Sequence, residues 1–193
     1  MIVDQHISEL KALTDQLLVK LYKRNPKELA KAPGKTIERR QQQLYSNPPN
    51  YRFPELSNRV GSQALELAFS SSYNGDRVFA LMVGLKSMLH ASYGMRTELF
   101  LLDDLDQQLL YNSARNLEIL NWRLNNYRAD DGQLFLLSNG YQAGIANLSF
   151  ERIFGKMILI QDMMAKVVAG KNNRTINTVL HSVASTAFFP IPF

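Results

Sequence analysis

Lys86 and His90 lie four residues apart in the stretch Arg77 to Ser92. On a helix that spacing puts both side chains on one face, here among apolar neighbours. An amine beside an imidazole can form a polar spot at the edge of a pocket, and with it a ligand site or the centre of an enzyme that follows no local motif. The competing reading is that both long side chains lie at the rim of a bundle with their heads in water. The other histidines, His6 and His181, fall on different predicted helices, and no HExxH or similar ligand spacing occurs. Asp103, Asp104 and Asp106 gather carboxylates, but at the start of a predicted helix, where capping and the dipole favour them. Neither a metal nor a cofactor is expected. Phosphate-cradling glycine loops and the GxSxG nucleophile turn are absent. Asp162 and Lys166 have the spacing of an ordinary helix pair on an exposed stripe. Arg115 and Glu118, set among small and amide residues, suit close helix packing better than a ligand groove.

A second set of candidates carries charge rather than chemistry. Residues 1–60 hold eleven Lys and Arg against six Asp and Glu, while the rest of the chain balances at eleven of each, so the net charge of +5 is entirely N-terminal. Lys20, Lys23, Arg24, Lys27, Lys31, Lys35, Arg39 and Arg40 form a basic arm that faces only Glu28 and Glu38 in its own segment. Such an arm can attract phosphates, anionic headgroups or an acidic protein surface. It can equally be a solvated connector. Aromatic residues able to stack on bases are sparse around it, which disfavours nucleic acid as the partner.

The elements that must position these residues read as helices. Val3, Ile7, Leu10, Thr14, Leu17 and Leu21 set the stripe of a helix from about Asp4 to Arg24, stopped by Asn25-Pro26. A short helix at Pro26 to Ala30 and another at Thr36 to Leu44, capped by Thr36, follow. A proline-containing segment then crosses to a helix from Asn58 to Ser70 with Ser57 as cap. Arg77 to Ser92 is apolar almost all round, which places it at the centre. A helix reaching Arg128 uses Leu105, Leu109, Leu117, Leu120 and Leu124, and its many asparagines require tertiary support. Residues 133–138 read as a short extended segment. Ser149 caps a helix to Ala169, and a last helix spans Asn173 to Ala187 before an apolar tail. The expected fold is all-α, an irregular multi-helix bundle of about five to seven helices, in a single domain over 1–193 with a basic, proline-containing connector at 20–56.

The chain has no Cys, which excludes disulfides, thiolate nucleophiles and cysteine-ligated metal centres. Its longest apolar runs are interrupted by Lys86 and by Gln161, Asp162 and Lys166, so neither supplies the about 20 apolar residues of a membrane-spanning helix. Met1 to His6 has none of the features of a secretory leader, which as written reads as cytoplasmic.

Val83-Gly84-Leu85-Lys86-Ser87-Met88-Leu89, Glu98-Leu99-Phe100-Leu101-Leu102-Asp103 and Leu110-Tyr111-Asn112-Ser113-Ala114-Arg115-Asn116 resemble segments of uncharacterised helical proteins exported by Gram-negative bacteria, some of them lipoproteins. The resemblance implies a periplasmic or outer-membrane-anchored protein whose leader has been removed, and it assigns no residue roles. A lipobox Cys is missing. The leading expectation is therefore a non-enzymatic binding or scaffold domain, with a protein or envelope surface as partner. An enzyme centred on Lys86 and His90 is the alternative in a second class, and polyanion binding by the basic arm in a third.

Overall fold

The computed structural model describes residues 2–46, 50–95, 105–142, 145–178 and 187–193. Seven α-helices occur among them. The first, α1 (Ile2–Arg24), turns Leu10, Leu13, Leu17, Leu18 and Leu21 inward and ends with Lys23 and Arg24 near its C-terminal dipole. Asn25 stops it actively. Its Nδ2 donates to the carbonyls of Leu21 and Leu137, each at 2.9 Å, and its Oδ1 accepts the Leu137 amide at 2.7 Å. Pro26 then opens α2 (Pro26–Ala30), and Thr36 caps α3 (Ile37–Tyr45) by accepting the Arg39 amide at 3.2 Å.

A 3-10 turn at Pro54–Leu56 leads into α4 (Gly61–Ala68). This helix begins later than its sequence pattern predicts, because Ser57 and Asn58 both adopt left-handed backbone with φ near +55°. Ser57 closes the turn and caps nothing. Asp76 caps α5 (Arg77–Ser92) through the Phe79 amide at 2.9 Å, and Asp106 caps α6 (Gln107–Asn126) through the Gln108 amide at 2.7 Å. Asp103 and Asp104 lie outside the described residues, as does the apolar run at 97–102. The extended structure is displaced from 133–138 to an antiparallel hairpin of β1 (Gly140–Gln142) and β2 (Ile145–Asn147), with only an isolated bridge between Arg128 and Leu134 near the predicted place. The last helix, α7 (Ser149–Lys171), runs past Gly170. Residues 173–178 are not helical, and the rest of the predicted final helix, His181 included, lies outside the described residues.

The fold is all-α. Helices α4 and α5 pair closely, as do α6 and α7, and α1 closes the bundle against α5 and α7 while α3 lies on α5. One apolar cluster runs from Leu10 to Ile191 through these contacts. At its centre, every residue of α5 is buried except Arg77, Lys86 and His90. The close approach of α4 is made possible by Gly84. A Cβ there would lie 2.8 Å from the Gly61 carbonyl oxygen and from the Leu65 amide nitrogen.

A buried polar knot joins three helices in this core. Gln161 of α7 accepts the Tyr93 hydroxyl at 2.8 Å and donates to the hydroxyls of Ser92 and Ser113 at 3.1 and 2.6 Å. Its hydrogen-bonding groups are satisfied, so the knot fixes the register of α7 against α5 and α6. A Gln161→Leu substitution leaves the Tyr93 hydroxyl buried without its acceptor. The expected loss is about 2–3 kcal/mol in urea unfolding, with an unchanged denaturant slope.

Candidate ligand pocket beside Lys86 and His90

Because α5 is buried beyond its first residue except at Lys86 and His90, these two polar interruptions predicted to share its face mark where that helix opens to a cavity. They line a pocket of about 130 Å³ with Leu89 and Tyr93. Two turns of α1 supply the facing wall through Ile7, Leu10, Lys11 and Thr14, whose spacing places them on one side of that helix. Tyr51 completes it.

The electrostatics are set by aromatic rings. The Lys86 ammonium lies 4.1 Å from the Tyr45 ring centroid and 5.7 Å from that of Tyr51, and Lys11 approaches the Tyr45 ring at 4.6 Å. Two cations thus share one phenol ring, a favourable but partial substitute for a counter-ion. The Tyr45 hydroxyl donates to Asp15, which also pairs with Lys11 at 3.0 Å. Tyr51 meets the His90 ring edge-on at 5.6 Å and holds a left-handed backbone, φ 51°, that is rare for a bulky residue. Burial pushes the Tyr51 phenol up to about 12 and, acting on the opposite charge type, pulls the Lys86 amine down to about 8. Asp15 favours the Lys86 charge and Lys11 opposes it, both less strongly than burial does. Burial also raises Tyr45, with the hydrogen bond to Asp15 adding to it.

The lining therefore offers two amines, an imidazole and phenols over an apolar floor, and no carboxylate is among the described lining residues. Chemically it can hold a small anion with an apolar body. Sequence reasoning found Lys86 and His90 but missed Lys11, Thr14, Tyr45, Tyr51 and Tyr93. The one available signal was the pair of tyrosines flanking the prolines at 48 and 49.

The basic arm folds differently from the expectation of a connector. Arg40 is 1% exposed; its guanidinium meets Asp76 at 3.1 Å and Glu55 at 2.9 Å and stacks 4.2 Å from the Phe79 ring centroid. Its predicted role as an outward anion contact is replaced by an internal one, because α3 turns it toward α5 together with Leu44. Lys31 pairs with Glu28 at 2.7 Å. Lys20 donates to Ser149 at 2.7 Å and lies over Phe150, tying α1 to the start of α7. Arg24 sits against Gly140, where a Cβ would meet its guanidinium. Arg39 donates to the Gly34 carbonyl at 2.8 Å. Lys23, Lys27 and Lys35 are exposed. A groove of about 340 Å³ beside Lys31, Lys35 and Arg40 includes Glu55 and Asp76, so its charge is mixed.

Elsewhere, Asp162 pairs with Arg115 of α6 at 2.7 Å, not with Lys166, and Arg115 also meets Glu118 at 3.1 Å. Those residues join α6 to α7. No group of three His, Asp or Glu able to hold a metal occurs among the described residues, and no described helix is long and apolar enough to cross a membrane. No family model matches the chain, and neither a curated protein nor a solved structure matches it.

Proposed function

We propose that this protein is a non-catalytic binding module whose ligand is a small organic anion, a carboxylate with an apolar body, held in the pocket beside Lys86 and His90. The observation that carries this reading is the Lys86 ammonium, desolvated in an apolar pocket and faced by tyrosine rings. A charge in that position is costly unless an anion shares the site. The pocket volume is close to that of a cavity able to hold a single benzene ring, which limits the body to a short chain or one ring. Lys11 and Lys86 would face the carboxylate, and Ile7, Leu10 and Leu89 the apolar part.

The test is calorimetric titration with hexanoate and benzoate, beside hexanamide and benzamide as neutral matches of similar shape. Saturable binding of an acid, at least tenfold tighter than its amide and lost in Lys86→Met, is the expected result. Equal affinity for acid and amide, or acid binding that survives Lys86→Met, would overturn the reading. The pH dependence has a definite sign. Lys86 must be protonated to bind, so affinity falls as pH rises through about 8 in the free protein.

The same lysine carries a stability prediction. Its folded pKa is depressed below the ordinary lysine value, so the unfolded chain holds the proton more tightly and stability rises with pH between about 8 and the ordinary lysine range. Lys86→Met removes the burial penalty, offset in part by the lost contact with Tyr45. At pH 7 it is expected to stabilise the protein by about 1–2 kcal/mol in urea unfolding, with the gain shrinking as pH rises from about 8 into the ordinary lysine range. A residue whose removal both stabilises the fold and abolishes binding is the pattern of a functional group retained against stability.

A further inference from the structure

Two amines border the ligand pocket, and their partners differ. Lys11 has a 57% exposed side chain and pairs with the Asp15 carboxylate at 3.0 Å. Lys86 is half-buried and forms no salt bridge among the described residues; its nitrogen faces the Tyr45 and Tyr51 rings, 4.1 and 5.7 Å from their centroids. Because α5 runs through the core, the stem of Lys86 is held in place and its side chain borders a cavity of about 130 Å³ that Ile7, Leu10 and Leu89 make apolar.

A ring is only a partial counter-ion, and an apolar cavity favours the uncharged amine over the ammonium. Burial accordingly brings the Lys86 amine down to about 8. Asp15 favours the ammonium and Lys11 opposes it, each less strongly than burial does. The remaining titratable groups around the cavity are His90 and the phenols of Tyr45, Tyr51 and Tyr93, none of which is a carboxylate that would hold the charge in place. An uncharged amine keeps its electron pair free. In a cavity of this kind it is a nucleophile toward a carbonyl carbon.

We infer that Lys86 is a carbonyl-capture site, which condenses reversibly with an aldehyde bearing a short chain or a single ring. The inference deepens the reading of the ligand pocket, on which it rests for the cavity but not for the carboxylate. The nitrogen lone pair adds to the carbonyl carbon, and the C=O π pair moves to the oxygen, which takes up a proton while the nitrogen gives one up. The carbinolamine then loses that oxygen as water and leaves the C=N bond of a Schiff base. Amine and aldehyde give imine and one water, so no oxidant, reductant or further reactant is consumed. An imine is a weaker base than its parent amine. The cavity that penalises the ammonium therefore favours the neutral adduct.

The experiment is incubation of the full chain with hexanal or with benzaldehyde near the pH at which Lys86 is half-charged, about 8, in the presence of cyanoborohydride. The reductant converts any imine to a stable secondary amine, and peptide mass mapping over time gives the initial labelling rate at each lysine. Lys86 is expected to label on the order of tenfold faster than exposed lysines such as Lys23 and Lys27. Pyrene carboxaldehyde, too large for the cavity, should show no such preference. Labelling of Lys86 by hexanal and benzaldehyde at the rate of the exposed lysines overturns the proposal, as does a preference for Lys86 that the pyrene aldehyde shares. Calorimetry with hexanoate on the same sample keeps the two readings apart. Hexanoate binding without selective trapping removes the Schiff base alone, whereas selective trapping without hexanoate binding upholds it and removes the carboxylate.

Discussion

Asp76→Ala is expected to destabilise the protein by about 3–5 kcal/mol, measured by urea unfolding at pH 7. One carboxylate here serves three partners that have no water to turn to. It caps α5 through the Phe79 amide at 2.9 Å, accepts the Tyr22 hydroxyl at 2.8 Å and meets the Arg40 guanidinium at 3.1 Å. Alanine removes all three contacts. Arg40 would keep Glu55, a partly exposed carboxylate that compensates a buried cation less well. Asp76→Asn separates geometry from charge. Burial holds the Asp76 carboxyl above its usual range, against the opposing pull of Phe79, Tyr22 and Arg40, so the charged form is already disfavoured in the fold. The amide preserves the cap and an acceptor for Tyr22. It is expected to lose less than half of what alanine loses. Equal losses in the two variants would show that the charge, not the hydrogen-bond geometry, holds this corner together.

Gly84→Ala, a change that ordinarily strengthens a helix, is expected to cost about 3 kcal/mol. The added methyl would lie 2.8 Å from the Gly61 carbonyl oxygen, the Leu65 amide nitrogen and Leu65 Cγ. Two of these are backbone atoms of α4, so relief requires moving the helix, and α4 is further held by the Gly61 amide donating to the Ser87 hydroxyl at 2.8 Å. Gly155→Ala is the matched control, since a Cβ there meets nothing within 4 Å. It is expected to stabilise by about 0.5–1 kcal/mol. Thermal unfolding should therefore move in opposite directions for the same chemical substitution in two helices.

These contrasts also explain how much could be read from the chain. Helix periodicity placed α1, α5, α6 and α7 because their apolar patterns are long, and Asp76 and Asp106 are local cap signals for α5 and α6, whereas Ser149, read as the cap of α7, is its first helical residue behind an uncapped Leu148. Ser57 misled because a serine ahead of an apolar run is the ordinary N-cap signal, while the left-handed backbone that closes the 3-10 turn there has no such local mark. The hairpin was missed because Gly140–Asn147 has no apolar alternation; β2 is exposed along its whole length. Arg40 could not be distinguished from its neighbours, since its partners Glu55 and Asp76 lie 15 and 36 positions away and only the tertiary fold brings them in. The pocket was half legible for a related reason. Lys86 and His90 interrupt an apolar helix and so announce themselves locally, whereas Lys11, Tyr45 and Tyr51 acquire meaning only once α1, the end of α3 and the segment after it lie across α5.

The division of the pocket between α1 and α5 couples occupancy to chain docking. Ile7, Leu10, Lys11 and Thr14 stand more than seventy positions before Lys86 and Leu89, so the site exists only while the N-terminal helix rests on its neighbour. An anion bound there is a clasp between the first helix of the chain and its central one. By mass action it adds RT ln(1 + [L]/Kd), about 2.7 kcal/mol at a hundredfold excess over Kd, against any opening that lifts α1 away. Amide hydrogen exchange in α1 becomes a ligand sensor, slowing on saturation even where no atom of the ligand reaches the exchanging amide.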